Sequence, residues 1–559
     1  ADNSSKINSV ATWKQALETP ASRTVDSSDD CCGTVDMLSK TAAKALLGSA
    51  NMATAARDEP LLAETPATSD DAPSIPQRSP AIACSILRLA WPVFLSQLVM
   101  WSQSFFTLWL LGQVGDKLSM AAFGLANVVC NVTGHCFLWG IGAGLDTLAS
   151  QAWGAKEFKA IGLYVQRVVL ILTFLVNVPV VAIWLNATPL LIALKQDARV
   201  ADKVAAYARL RIPGLFAQGP MCVLSKTLSS MGKTRVLAAL NILGVGCSVG
   251  LSYLFISNNS PVVHWLDAKG LSIGPVAGSA IAASIVDALS AFILLIAFVC
   301  DNECRQCWPG WSMRCLYGWK SYLKLAIPAM LMGIFEWMSW DIVSFLAGLC
   351  HTPHTAQTSL ATNALLGQII SLAYCVPLGL QTGVQTLVGN ALGAQSPIGA
   401  KLVARVGSIL GVLVMVIQAV ALVVLRKQWA LLFTAEPQVG SYVAELLPWV
   451  VFFNAGDGVQ LCLSGVITGA GKQHVTTPVL CVSYWILGLP LGALAAFYYP
   501  RNGLLGLWWG MTLAVWLHVF SYLLICFARP CLRFAIDWKQ AAKVAAERLA
   551  EPAADAAAA

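Results

Sequence analysis

The sequence predicts an all-α polytopic membrane protein, with twelve transmembrane helices in two six-helix lobes related by a pseudo-two-fold axis along the membrane normal. Three observations predict it. Of the 559 residues, 57% are hydrophobic and only 12% charged, against about 25% charged in an ordinary soluble chain. The apolar residues gather into blocks of roughly 20–28, long enough to cross a ~30 Å hydrocarbon core at 1.5 Å per residue. Finally, a set of short motifs recurs in the second half of the chain in the same order as in the first, the mark of an internal repeat.

The elements follow in order. Residues 1–80 are rich in Ser, Thr, Ala, Asp and Pro (SSDDCCGTVD, ETPATSDDAPSIPQRSP). They are too polar to bury a core, so they read as a disordered cytosolic tail, with no secretory signal pattern. Six spans are expected near 86–111, 119–145, 162–185, 204–228, 234–256 and 274–300, giving an N-terminal lobe over 81–300. The polar stretch 301–321 (DNECRQCWPGWSMRCLYGWKS) reads as a cytosolic linker. Six more spans near 322–349, 357–388, 400–425, 441–468, 475–498 and 503–528 form a C-terminal lobe over 322–530. Residues 531–559 read as a cytosolic tail whose helix fades into alanine-rich low complexity.

The repeat is read directly. LRLAWP (87–92) returns as LKLAIP (323–328), GLDTLASQAWGA (144–155) as GVQTLVGNALGA (383–394), and SSMGKT (229–234) as TGAGKQ (468–473). The offsets are 236, 239 and 239 residues. An even number of spans per repeat gives both halves one orientation, which places a solute site between them near the midplane.

Orientation comes from the Lys and Arg of the short loops. With the N-terminal tail inside, the inner side, which takes in Arg167 and Lys226, outnumbers the outer side, which takes in Arg209 and Arg211, by roughly two to one. The sequons at Asn186 and Asn258 then fall outside. The net charge of +7 is scattered singly rather than gathered in a stripe, so no nucleic-acid partner is implied. Most of the 17 Cys lie in apolar blocks and imply no disulfide framework. Cys300, Cys304 and Cys307 have the spacing of an iron–sulfur motif but sit at a helix end without a barrel around them, so reduced thiols are expected. Neither HExxH nor GxxxxGK[ST] occurs, which argues against a zinc peptidase or an ATP-driven pump.

An ionisable group at membrane depth costs on the order of 2.5–3.5 kcal/mol on insertion scales, so each is a functional candidate. Four stand out: Asp287, Glu336, Asp341 and Asp457. In MLMGIFEWMSWDIVSF, helical spacing stacks Glu336 with Trp340 and Trp337 with Asp341. A carboxylate beside an indole suits an organic cation, and burial of a carboxyl makes proton uptake possible near neutral pH. Asp457, with no Lys or Arg on its own helix, is expected to face Glu336 across the cavity. Asp287 reads equally well as a hydrogen-bonded structural acid. The amides Gln97, Asn131 and Gln368 also lie inside spans, where helix-to-helix hydrogen bonding is their ordinary role.

With these residues in hand, the chain resembles the multidrug and toxic compound extrusion (MATE) transporters, particularly the eukaryotic branch. The resemblance covers about residues 85–530 and is carried by GLDTLASQAWGA, WPGWSMRCLYGWKSYLKLAIPAMLMGIFEWMSWD, VGNALGA, GAGKQ and VCNVTG. It implies a secondary antiporter exporting organic cations or other drug-like solutes in exchange for protons or sodium, with no cofactor. Glu336 and Asp457 match the family's seventh- and tenth-span acids, which bind the coupling ion and the cationic solute. Asp341 matches a second seventh-span acid, shortened from Glu. Gln368 stands where animal members have an eighth-span acid, and Gln97, Asn131, Trp337, Trp340 and Tyr374 match polar and aromatic cavity positions. Related possibilities are an organic-acid or flavonoid carrier of the same family, or a lipid-linked oligosaccharide flippase of the wider superfamily. A monomer in the plasma or vacuolar membrane is expected. By the offsets, Glu336, Asp341 and Asp457 correspond to Met100, Phe105 and Gln218 in the first half, so the scaffold is duplicated and the acid set is not.

Overall fold

A bilayer offers no water to a backbone N–H or C=O, so an apolar chain of this composition satisfies its backbone within helices. The computed structural model describes residues 75–113, 117–193, 196–257, 260–269, 273–308, 310–350, 354–433, 437–499, 502–528 and 534–557. All of these belong to one unit, Pro66–Ala559, and among them there is no strand.

The first six long helices are α1 (Ile75–Gln113), α2 (Ala122–Gly154), α3 (Phe158–Leu185), α4 (Ala198–Ser230), α5 (Thr234–Ile256) and α6 (Pro275–Cys300). A short helix, Asn302–Gln306, and a 3-10 turn, Met313–Leu316, form the linker. The second six are α7 (Trp319–Ala347), α8 (Ala356–Gly393), α9 (Pro397–Val424), α10 (Pro437–Ala470), α11 (Gln473–Phe497) and α12 (Gly503–Phe527), followed by α13 (Trp538–Ala557). Eleven of the first twelve are long and apolar enough to cross a membrane. The exception is α4, 33 residues long but carrying several Arg and Lys.

Two sequence expectations change here. Residues 1–74 of the expected tail, and Asn258, lie outside the described residues, while 75–80 are already helical as the start of α1. Three cations counted toward the inner or outer side lie well inside helices: Arg167 in α3, and Arg211 and Lys226 in α4. Arg167 and Arg211 are buried. A hydropathy window pushes a charge outward because it cannot see the partner that makes burial tolerable.

The halves meet as the repeat requires. The first helix of each half packs on the second helix of the other, α1 on α8 and α7 on α2. At the end of α2 and α8 the approach is so close that a side chain has no room. A Cβ on Gly154 would meet the Asn390 carbonyl, and one on Gly393 would meet the Gln151 carbonyl. Gly154 and Gly393 are repeat equivalents, as are Gln151 and Asn390. Short small-residue faces of this kind let membrane helices pack backbone to backbone. Helix α13 lies on the same face as the linker and reaches both halves: Tyr164 of α3 donates to the Arg548 carbonyl at 3.0 Å, and Gln395 donates to the Ala542 carbonyl at 2.8 Å. This side of the molecule is called the linker face below.

Candidate functional site

Glu336 sits midway along α7 and Asp457 midway along α10. Asp457 is 2% exposed and Glu336 half-buried. The two are joined by a residue the sequence did not single out. The Gln460 amide nitrogen donates to Glu336 Oε1 at 3.0 Å and to Asp457 Oδ1 at 3.3 Å. Gln460 lies one helical turn beyond Asp457, so it shares that residue's face of α10. That spacing was the available signal, although an amide one turn from an acid is too common to have been decisive alone.

One N–H₂ group serving two carboxyls fixes them as near neighbours. Like charges at that range cannot both remain uncompensated in a low dielectric, so the pair calls for a proton or a cation and titrates as a unit. Tyr374 of α8 lies within electrostatic reach of both acids, as expected for a cavity residue.

The aromatic neighbours divide. Trp340 is packed edge-on against Phe453 and Trp508, with ring centroids 5.2 and 5.7 Å away, so it braces α7 against α10 and α12. Trp337, beside Glu336 in the chain, is 46% exposed. Asp341 is exposed and lies within electrostatic reach of Cys136 on α2, so it faces the other half rather than the Gln460 bridge. Gln97 on α1 and Gln368 on α8 are half-buried. Asn131 opens a π-helical turn in α2, Asn131–His135, and its side-chain oxygen accepts from the Cys136 thiol at 3.8 Å.

Asp287 is placed apart from this group and is ion-paired. Arg211 Nη1 lies 2.6 Å from Asp287 Oδ2, and Gln218 donates to the same oxygen at 3.0 Å. Both side chains are largely buried, so the first half neutralises this acid with a cation of its own. Gln218 is the repeat equivalent of Asp457, so one position serves an acid network in both halves, once as donor and once as acid.

One deep acid escaped the sequence reading altogether. Asp146, inside the GLDTLASQAWGA motif, is 5% exposed and pairs with Lys226 at 2.7 Å. It also lies against the Gln385 amide, its own repeat equivalent. Two equivalent residues can meet only at the axis relating the halves. The thiols of the CxxxCxxC stretch behave as packing groups: Cys304 and Cys307 are buried, and Cys304 Sγ contacts Met231 Sδ at 3.9 Å. Among the described residues no cluster of His, Cys, Asp and Glu could hold a metal ion.

A duplicated bundle of membrane-length helices around a carboxyl pair at mid-depth has the architecture of a membrane transporter. The family model MatE matches residues 92–254 and 328–494, and the chain belongs to that family. It is 32% identical over 460 residues to multidrug and toxin extrusion protein 1 of Danio rerio, covering 82% of this chain and 73% of that one. It is 30% identical to protein DETOXIFICATION 16 of Arabidopsis thaliana, covering 83% of this chain and 90% of that one. Among solved structures, the eukaryotic MATE transporter AtDTX14 superposes with a TM-score of 0.74 at 23% identity, over 84% of this chain and 99% of that one. The Vibrio cholerae MATE transporter VcmN in its bent form superposes with a TM-score of 0.68 at 18% identity, over 84% and 99%. These two likenesses concern the fold. The protein is thus a multi-pass integral membrane transporter of small molecules, not an enzyme.

Proposed function

We propose that this transporter exports organic cations in exchange for protons, with Glu336 and Asp457 as the shared binding site. The observation that carries the reading is the Gln460 bridge, which holds two carboxyls at one point in the membrane core. A proton or a cationic solute can supply the missing positive charge, but the two compete for it. Competition for one site, combined with two conformations open to opposite sides, is sufficient for antiport. Trp337, next to Glu336 in the chain and partly exposed, is the candidate cation–π surface.

The Lys and Arg bias supports a cytosolic linker face, with the linker and α13. In this arrangement the cytosolic ends of α2 and α8 are closed against each other, and the acid pair is to be loaded from the opposite side. The same bias favours both termini inside.

Efflux of a fluorescent organic cation from reconstituted vesicles, with pH and sodium gradients imposed separately, tests the proposal. The pH gradient alone should drive wild-type efflux, and Glu336→Gln should abolish it. Wild-type efflux from that variant would overturn the reading.

A further inference from the structure

Behind Glu336 the second half buries polar groups that the transport scheme above does not use. Tyr484 of α11, and His518 and Tyr522 of α12, are each 0% exposed. Their rings are consecutive neighbours: Tyr484 and His518 centroids are 6.1 Å apart and edge-on, and His518 and Tyr522 are 3.9 Å apart. Neither nitrogen of His518, nor the Tyr484 hydroxyl, has a hydrogen-bond partner within the protein. A buried donor or acceptor left unmade costs about 1–3 kcal/mol. Three such atoms in one cluster would be a heavy and unexplained load unless something polar occupies the space between them.

The cluster is aimed at the acids. Tyr484 lies within electrostatic reach of Glu336, Asp457, Tyr374 and Tyr522, and Tyr522 within reach of Glu336 and Cys526. Local backbone contributes to the aim. Residues Cys481–Gly488 of α11 are π-helical, which rotates Tyr484 relative to a regular helix, and such turns are over-represented at functional sites. Within the same turn Trp485 donates to the Phe335 carbonyl at 3.0 Å, pinning α11 to α7 one residue from Glu336. On the linker side the cluster is closed by Thr476, beside Tyr522, whose own hydroxyl donates to the Gln473 carbonyl at 2.8 Å.

A water needs two to four polar partners, and the unpartnered groups of Tyr484 and His518, beside Tyr522 and its neighbour Thr476, can supply them. We propose that Tyr484, His518 and Tyr522 form a buried water-binding pocket behind Glu336, whose waters solvate the charged carboxylate from the side away from the other half. The pocket sets the pH at which the coupling proton leaves. His518 is then a positioning residue: it holds the water, and the water acts on Glu336. The titratable groups within reach of the cluster, through Tyr484 and Tyr522, are Glu336 from α7, Tyr374 from α8, Asp457 from α10 and Cys526 from α12. The inference rests on the reading of Glu336 as the coupling acid.

Two measurements on the full-length protein test it. Hydroxyl-radical footprinting by X-ray radiolysis oxidises side chains next to bound water. Tyr484, His518 and Tyr522 should be labelled in wild type, while the equally buried Phe453 and Trp184 are not. No label on the three would overturn the pocket, whatever the transport data show. In vesicles, the pH midpoint of cation efflux should move upward by about one to two units in His518→Phe, the loss of a hydrogen bond to a charged group. His518→Asn, which keeps a donor and an acceptor, should return it to the wild-type value. A lower rate with an unchanged midpoint in His518→Phe would reduce the residue to a packing role and overturn the proposal. If wild type is labelled but shows no pH-driven efflux, the coupling reading fails, and with it the assigned role of the waters, while the pocket stands.

Discussion

Thr147 and Thr386 are repeat equivalents, and each makes the other's hydrogen bond in the opposite half. Thr147 Oγ1 donates to the Thr468 carbonyl at 2.5 Å, and Thr386 Oγ1 donates to the Ser229 carbonyl at 3.3 Å. Thr468 and Ser229 are themselves equivalent. Gln151 adds a bond to the Gly469 carbonyl at 3.1 Å, and Gln473 one to Thr147 Oγ1 at 2.9 Å. The recurring motifs are therefore the residues that close the linker face. Each motif was duplicated together with the surface it binds.

The glycines of this closure give the first prediction. Gly154→Val and Gly393→Val each force a side chain into a backbone carbonyl, an overpacking of about 1–3 kcal/mol. Both should lower thermal stability by that amount and reduce efflux. Gly250→Val should be milder, because a Cβ there meets nothing within 4 Å. Paired melting curves and vesicle efflux check the order; equal tolerance at 154 and 250 would contradict it.

Gln460 carries the second. Gln460→Leu keeps the volume and removes the donor shared by Glu336 and Asp457. A hydrogen bond to a charged group is worth about 1.5–3 kcal/mol, so apparent affinity for the cation should fall roughly 10- to 100-fold. Expression and melting temperature should change little. A concentration series of efflux rates measures this directly.

The third concerns Asp287. As half of a buried pair with Arg211, it should behave as a stability residue. Asp287→Leu or Arg211→Leu alone should destabilise by about 3–5 kcal/mol, and the double replacement should recover most of that loss. Retained pH-driven efflux in the double variant would place Asp287 outside the coupling machinery, whereas its loss would return Asp287 to the list of coupling acids.

The fourth is a pH dependence at the linker face. Asp301 follows α6, and Lys233 Nζ reaches both its oxygens at 2.6 Å. Burial pushes the Asp301 carboxyl up, but the Lys233 ammonium and the Cys304 amide outweigh it and hold the group below its ordinary value. A carboxyl with the lower value in the folded state contributes stability above its unfolded value, about 3.9, and loses it as pH falls through the folded one. Asp301→Asn should therefore melt roughly 1–3 °C lower than wild type at pH 7, and the gap should shrink as pH is taken below 4. A gap that grows on acidification would refute the assignment.

The sequence by itself determined the membrane class, the positions of the long helices, the two-fold duplication and the depth of Glu336 and Asp457. These rest on composition, length and recurrence, which are properties of the chain read in order. The packing decided which polar groups meet. Arg211 and Lys226 read only as orientation charges at the ends of a span until Asp287 and Asp146 are seen beside them, because only a partner makes a buried cation affordable. Gln460 joined the acid pair, and Tyr484, His518 and Tyr522 gathered behind it, through contacts between helices far apart in the chain. Hydropathy records that a side chain is costly to bury; the neighbour that meets that cost is supplied by another helix.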